Sequence, residues 1–236
     1  MKIGILQADS VRPEFREEFG NYPGMIQMLL EASRDEEEDL TFTTYDVVQG
    51  VYPDELSACD GYVITGSAAS VYDDEPWIHE LRKFVVRLHK TRTKTVGICF
   101  GHQMIALALD GVAGAADQGW EVGIHESTVE AAKPFMSPAL EKVSLLYSHR
   151  DQVSKLPSGA ELLAGHDFCP VSMYVIDSHM FAFQGHPEFV KGYSEKLMNF
   201  RRQTLGEETY SAGIDSLQQA LDSRTIGRWM LNFLAN

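Results

Sequence analysis

The sequence predicts an α/β protein in three layers, with a mostly parallel central sheet between helices on both faces. Over residues 1–111, apolar strand segments alternate with helical segments, and this alternation is typical of a parallel sheet. Over residues 119–189, short strands separated by turns replace it, and we expect some of them to pair antiparallel and extend the sheet. No linker or break in composition divides the 236 residues, so we expect a single domain over 1–236.

Each element of the first half has its own signal. The apolar run KIGILQ at residues 2–7 predicts a strand buried on both faces. Helical spacing of apolar residues follows at 23–32. β-Branched and aromatic residues predict strands at 41–48 and 61–67. An amphipathic helix with a proline in its first turn is predicted over 75–91.

A further strand and helix follow at once. KTVGIC, residues 94–99, predicts a strand, and the helix after it is closed by Gly111. The tail over 190–236 returns to helical spacing, and we expect it to be a helical extension of the same domain. The charge run at 34–39 is interpreted as a solvated helix end or loop.

Composition excludes several classes of function. The net charge of −14 argues against nucleic acids and anionic membrane surfaces as partners. The three cysteines are odd in number and widely spaced, which predicts no disulfide framework and a reducing compartment. No apolar run approaches the ~18 residues of a membrane helix. We therefore expect a cytoplasmic protein.

The pattern G-x-C-x-G places Cys99 between a predicted strand and a predicted helix. This is the cysteine form of the nucleophile elbow, in which a tight turn lifts the nucleophile above the carboxyl edge of the sheet. The helix that begins near Phe100 favours the thiolate form of the cysteine and offers N–H groups to an oxyanion. We therefore predict that Cys99 is a nucleophile.

Two other roles are open to the cysteines. A buried structural cysteine is the better interpretation of Cys59 and Cys169, which lack such a context. A metal pair of Cys99 with His102 is disfavoured, because no CxxC motif and no second Cys/His pair completes a ligand set. We expect neither a metal nor a cofactor.

A cysteine nucleophile needs a base, and His186 in MFAFQGHPEFV is the best candidate. It follows an apolar strand, and Pro187 fixes the backbone, so His186 and Glu188 can reach one site together. The carboxylate would then orient the imidazole toward the thiol. On spacing alone, a capping or surface histidine beside a turn is an equal alternative.

The segments GICFGHQ (97–103) and FQGHPEF (183–189) together resemble the class I glutamine amidotransferase family, which has a flavodoxin-like fold and a Cys-His-Glu triad. The resemblance covers roughly residues 1–189 and implies that Cys99, His186 and Glu188 are catalytic. YVITGSAASVYDD (62–74) resembles the family's oxyanion strand. The resemblance therefore implies an oxyanion hole made by the backbone N–H groups of Gly66 and Phe100.

The same resemblance implies further substrate contacts. LLYSHRDQVSKLPSGAELLA (145–164) is similar to the segment that helps to hold glutamine in GMP synthase. This implies that Gln103 borders the pocket and that the backbone of Tyr147, Ser148 and His149 meets the substrate. Thr65-Gly66-Ser67 replaces the Gly-Gly-Pro of many members, and this form is similar to stand-alone GMP-synthase-like members and to plant γ-glutamyl peptidases.

The family implies hydrolysis of the γ-amide of glutamine, or of a related γ-glutamyl compound, through a γ-glutamyl thioester. Only 47 residues follow Phe189, too few for an ATP-pyrophosphatase domain, so ammonia would pass to a separate synthetase partner. The alternative is a γ-glutamyl peptidase that acts on small peptides without ammonia transfer. A regulatory or redox-sensing domain is an alternative of another class, although a sensor does not need His186 and Glu188.

Overall fold

The computed structural model of the protein describes all residues from 1 to 236. It contains eleven strands and seven α-helices in the order β1 α1 α2 β2 β3 α3 β4 α4 β5 β6 β7 β8 β9 β10 β11 α5 α6 α7. The strands are β1 Lys2–Gln7, β2 Thr41–Asp46, β3 Gly61–Ile64, β4 Lys94–Ile98, β5 Val112–Ala115, β6 Glu121–Val129, β7 Lys142–His149, β8 Asp151–Lys155, β9 Ala160–Gly165, β10 Met173–Ile176 and β11 Met180–Phe183. The helices are α1 Pro13–Phe19, α2 Tyr22–Ser33, α3 Pro76–Lys90, α4 Phe100–Ala108, α5 Lys191–Leu205, α6 Glu207–Ser216 and α7 Ser223–Ala235.

Nine strands form the central sheet in the order β2-β1-β3-β4-β11-β10-β9-β6-β7, and β5 pairs with β8 separately. The first five strands in this order, from β2 to β11, are parallel to one another. The pairs from β11 to β7 are all antiparallel. The predicted α/β sheet, parallel in the first half and extended by antiparallel strands, is therefore confirmed.

Helices cover both faces of the parallel half. Along β3, Tyr62 and Ile64 point into one core and Val63 points into the other, as the two-residue period of a strand requires. One core holds α2 and α7, and the other holds α3 and α4. This explains why the parallel strands are apolar runs, because both of their faces are buried.

The tail folds as three helices, and α5 and α6 pack on the antiparallel half. Tyr193, Leu197 and Met198 of α5 share a third core with Val122 of β6 and Leu146 of β7. This packing brings Arg201 of α5 close to Ser148 near the end of β7. No helix of the protein is long and apolar enough to cross a bilayer.

Several elements differ from the sequence expectation. Helix α1 was not predicted, because none of its residues is buried and it therefore carries no apolar period. The strand predicted over 61–67 ends at Ile64. The helix predicted to close at Gly111 ends at Ala108, where Asp110 adopts a left-handed φ of 66° and the Gly111 N–H donates to the carbonyl of Ala106.

Candidate active site

Cys99 stands at a strained turn between β4 and α4. Its φ is 50° and its ψ is −99°, a conformation that non-glycine residues rarely adopt and that is concentrated at functional sites. Its N–H donates to the carbonyl of Phe183 at 2.9 Å, and its carbonyl accepts from Gln103 N–H in the first turn of α4. The nucleophile elbow predicted from the sequence is present as a backbone geometry.

Close approach of the backbone explains the two glycines around Cys99. A Cβ on Gly97 would lie 2.6 Å from the carbonyl oxygen of Gly101, and a Cβ on Gly101 would lie 2.6 Å from the carbonyl oxygen of Ile64. Neither contact can be relieved by moving a flexible side chain, because the partners are backbone atoms. The two glycines of the pattern G-x-C-x-G therefore allow α4 to pack in direct backbone contact with β3 and β4.

Two ring contacts and one backbone hydrogen bond hold His186 in place. Its Nδ1 lies 2.8 Å from Oε1 of Glu188, and its ring stacks on Phe189 with centroids 3.9 Å apart. Its backbone N–H donates to the carbonyl of Leu146 at 2.7 Å. Both the imidazole and the carboxylate are almost fully buried. The hydrogen bond at Nδ1 leaves Nε2 as the nitrogen available to another group.

His186, Cys99 and Gly66 meet at one point. A Cβ placed on Gly66 would lie 2.9 Å from Cε1 of His186 and 3.8 Å from Cβ of Cys99. The three residues also line one small cleft. The structure thus brings together residues that are far apart in the chain, although their assignment as a catalytic set stays a prediction.

Charge around His186 favours the imidazolium. Burial lowers the pKa of His186, but the neighbouring Glu188 and Cys99 outweigh this effect and raise the pKa to about 10. At neutral pH the ring therefore carries a proton on both nitrogens. An imidazolium beside a cysteine is the form that can protonate a leaving amine.

Two glutamine side chains form a hydrogen-bond chain that ends at the sulfur of Cys99. Nε2 of Gln184 donates to Sγ of Cys99 at 3.3 Å, and Nε2 of Gln103 donates to Oε1 of Gln184 at 3.0 Å. Gln103 also donates to the carbonyl of Asp151 at 2.6 Å. Both hydrogen bonds of the Gln103 amide group are therefore made within the protein, to Gln184 and to Asp151.

The predicted oxyanion donors lie at two fixed backbone positions. Oγ1 of Thr65 accepts the Ala8 N–H at 2.9 Å and donates to the Gly66 carbonyl at 3.0 Å, which fixes the loop after β3. Phe100 is the first residue of α4, where N–H groups have no partner within the helix. The role of these two N–H groups stays a prediction.

A polar cavity of about 230 Å³ opens beside Cys99. Its wall consists of Ser67, Ala68, Ala69, Ser70, Cys99, Gln103, Trp120, Ser148, His149, Arg150, Asp151 and Arg201. Gln103, Ser148 and His149, which were predicted to meet the substrate, are thus in the wall. The side chain of Tyr147 is not, because it points to the other face of β7 and its hydroxyl lies 3.0 Å from Oγ of Ser127.

Sequence reasoning missed Arg201, a residue of α5. Its Nη1 donates to Oγ of Ser148 at 2.8 Å, its guanidinium lies 5.1 Å from the ring centroid of Trp120, and it forms no ion pair. In the sequence nothing distinguishes it from Arg202, whose side chain points to solvent and pairs with Glu207. Only the packing of α5 shows which arginine faces the cavity.

A second group of the same residue types, Glu121, His166 and Cys169, lies outside this cavity. One donor atom from each is within 4.8 Å of the others. Burial, followed by the charge of Glu121, raises the pKa of Cys169 well above its usual range. A fully buried thiol with a raised pKa is a poor nucleophile, so this group is not a competing triad.

The chain is similar to known proteins over most of its length. The model of the family "Glutamine amidotransferase class-I" matches residues 19–203. γ-Glutamyl peptidase 2 of Arabidopsis thaliana is 33% identical over 221 residues, which cover 90% of this chain and 88% of the peptidase. A glutamine-hydrolysing GMP synthase of Dehalococcoides mccartyi is 28% identical over 141 residues, which cover 58% of this chain and 25% of the synthase.

A solved structure has the same fold. The glutamine amidotransferase of Methylobacillus flagellatus superposes with a TM-score of 0.73 at 21% identity, over 99% of this chain and 92% of that one. The fold, the elbow and the family match together place the chain in the class I glutamine amidotransferase family.

Proposed function

We propose that the protein is a cysteine hydrolase that cleaves the γ-amide bond of glutamine or of a related γ-glutamyl compound through a thioester on Cys99. The observation that carries the proposal is the Cys99 thiol on its elbow, which lines the same small cleft as the buried His186–Glu188 pair. Cys99 also lines the larger polar cavity, where a substrate would be held.

The cavity has charges suited to the amino-acid end of a γ-glutamyl group. Arg201 has no carboxylate partner, so its guanidinium can receive an α-carboxylate. Asp151 lies on the same wall, and its Oδ2 accepts from Ser70. Its Oδ1 accepts no hydrogen bond, although it lies 3.8 Å from Nε of Arg150, and it can accept from an α-ammonium group. An unpaired guanidinium and a nearby carboxylate suit a zwitterionic ligand.

The proposed reaction follows from these positions. The sulfur of Cys99 attacks the γ-carbonyl carbon, and the N–H groups of Gly66 and Phe100 stabilise the oxyanion. The C–N bond then breaks while the imidazolium of His186 gives its proton to the leaving amine. Water next attacks the thioester and gives a proton to His186, the C–S bond breaks, and glutamate leaves. Glu188 holds the ring and its charge throughout.

The leaving group distinguishes two versions of this function. The 33% identity to a γ-glutamyl peptidase supports small γ-glutamyl peptides as substrates. The resemblance to part of a GMP synthase supports ammonia transfer to a separate synthetase, as a second candidate. Either version needs Cys99 as a free thiol, and no disulfide involves it.

The test measures glutamate released from glutamine and from γ-glutamyl dipeptides. Substitution Cys99→Ala should lower the rate by a factor on the order of 10⁴–10⁶, because the nucleophile is lost. Cys59→Ala is the matched control, since Cys59 is also buried but lies in another core and should leave the rate unchanged. Release by the Cys99 variant at the wild-type rate, or no release by the wild type from any of these compounds, would overturn the proposal.

A second readout identifies the intermediate. Acid quenching during turnover should trap one glutamyl group on the peptide that contains Cys99, detected by mass spectrometry. Turnover of dipeptides alone supports the peptidase version. Turnover of glutamine that rises when a synthetase is added supports the amidotransferase version.

A further inference from the structure

The group Glu121, His166 and Cys169 contains buried donor atoms without partners. Oε1 of Glu121 and Nε2 of His166 lie 3.5 Å apart, both are buried, and neither makes a hydrogen bond. The Glu121 side chain is 0% exposed. A buried carboxylate oxygen and a buried ring nitrogen left unpaired are costly, and a cation between them would satisfy both.

A second histidine presents another donor to the same oxygen. Nε2 of His125 lies 3.0 Å from the carbonyl of Val122, and because a carbonyl only accepts, that nitrogen carries the proton. The other ring nitrogen, Nδ1, lies 3.5 Å from Oε1 of Glu121. A metal ion placed between these two atoms would be bound by both of them.

The sulfur of Cys169 completes a set of oxygen, nitrogen and sulfur donors. The backbone N–H of His166 donates to the backbone carbonyl of Cys169 at 3.1 Å. This short turn holds both side chains close to Glu121 of β6. In a tetrahedral zinc site, ligand atoms are about 3.3–3.8 Å apart, given bonds of about 2.0–2.3 Å. The two 3.5 Å separations at Glu121 already match that spacing.

The other oxygen of Glu121 is fixed by a partner. Oε2 lies 2.7 Å from Nε2 of His149, and Nδ1 of His149 lies 3.0 Å from the Asp151 carbonyl. This is the type of supporting contact that orients a carboxylate ligand. The His125 side chain is 37% exposed, so an ion can enter from solvent on that side.

We propose that Glu121, His166 and Cys169, with His125 as the fourth ligand, form a binding site for one Zn²⁺ ion. The donor set of one carboxylate, two imidazoles and one thiolate is suited to zinc and unsuited to Mg²⁺ or Ca²⁺, which require oxygen ligands. Binding replaces the thiol proton of Cys169, which leaves to solvent. The site is separate from the sulfur of Cys99 and does not depend on the proposed hydrolase function.

The test uses full-length protein stripped with a chelator and titrated with Zn²⁺ alone and with Co²⁺ alone. We expect one Zn²⁺ per chain and, with Co²⁺, the near-ultraviolet absorption band of a thiolate–cobalt bond. Cys169→Ser should abolish that band, and His166→Gln should weaken Zn²⁺ binding at least about tenfold. Circular dichroism checks that each variant is folded.

Two control variants show which cysteine supplies the sulfur that binds the metal. Cys59→Ser should retain the Co²⁺ band, and so should Cys99→Ala, because neither cysteine belongs to the group. Absence of stoichiometric Zn²⁺ binding, or a band lost in Cys99→Ala but kept in Cys169→Ser, would overturn the proposal. If Cys169→Ser does not fold, the affinity of His166→Gln decides, and an unchanged affinity counts against the site.

Discussion

Arg201 places a positive charge in the wall of the cavity beside Cys99. Its only hydrogen bond is to Ser148, and it has no acidic partner. A guanidinium held this way is prepared for a carboxylate that the protein itself does not supply. We therefore assign it the α-carboxylate of the proposed γ-glutamyl substrate.

Substitution Arg201→Met should raise KM for a γ-glutamyl substrate roughly 10- to 100-fold, because one hydrogen bond to a charged group is lost. Arg202→Met is the matched control: it lies next in the same helix but points to solvent. Steady-state kinetics of both variants measure the effect. Equal KM values for Arg201→Met and the wild type would remove Arg201 from substrate binding.

His186 should make stability depend on pH in one direction. Its pKa is raised from 6.5 to about 10 in the folded protein, so the folded state holds the proton more tightly than the unfolded state. The stabilisation is complete below about pH 6.5 and is lost as the pH rises through about 10. Urea unfolding of the wild type and His186→Gln at several pH values should show a difference that shrinks with rising pH. A difference that grows would contradict the charged pair.

At the scale of elements, the contact of α4 with β3 and β4 sets the position of the nucleophile. Gly101 allows this contact because its Cα lies against the backbone of Ile64. The strained φ of Cys99 persists because the elements on both sides of it are fixed.

Gly101→Ala should therefore destabilise the protein by about 1–3 kcal/mol, because a Cβ would lie 2.6 Å from a backbone oxygen. Gly114→Ala is the control, since a Cβ there meets nothing within 4 Å and should change stability by less than about 0.5 kcal/mol. Chemical unfolding of the two variants measures both. Equal stability of the two would show that the close approach is not required.

Helices and strands with an apolar period were predicted well, and those without one were not. The predicted helix at 75–91 appears as Pro76–Lys90, because its apolar face is buried and its polar face is exposed. Helix α1 was not predicted because only Phe15 and Phe19 of its seven residues pack on a core, and both are only partly buried. Two apolar residues in a short helix are too few to form an apolar period in the sequence.

At the scale of the whole molecule, the sequence was informative about local chemistry and uninformative about which distant side chains converge. The roles of the elbow glycines and of the His186–Glu188 spacing could be predicted, because both depend on residues that are neighbours in the chain. Arg201 and the Glu121–His166–Cys169 group were not, since each depends on how α5 and the antiparallel strands pack. The pairing β6-β9 and the turn after β9 bring that group together, and no local signal encodes it.

Cys99 and His186 follow β4 and β11, which are hydrogen-bonded neighbours with Ile98 opposite Phe183. Adjacent strands thus bring the two residues to one edge of the sheet, whatever the length of chain between them, and the bridge to Leu146 of β7 fixes the backbone of His186. The intervening region, with its own hairpins, is free to be lengthened, shortened or exchanged at its outer turns. Diversification of what this scaffold recognises can therefore proceed without re-engineering the reactive centre.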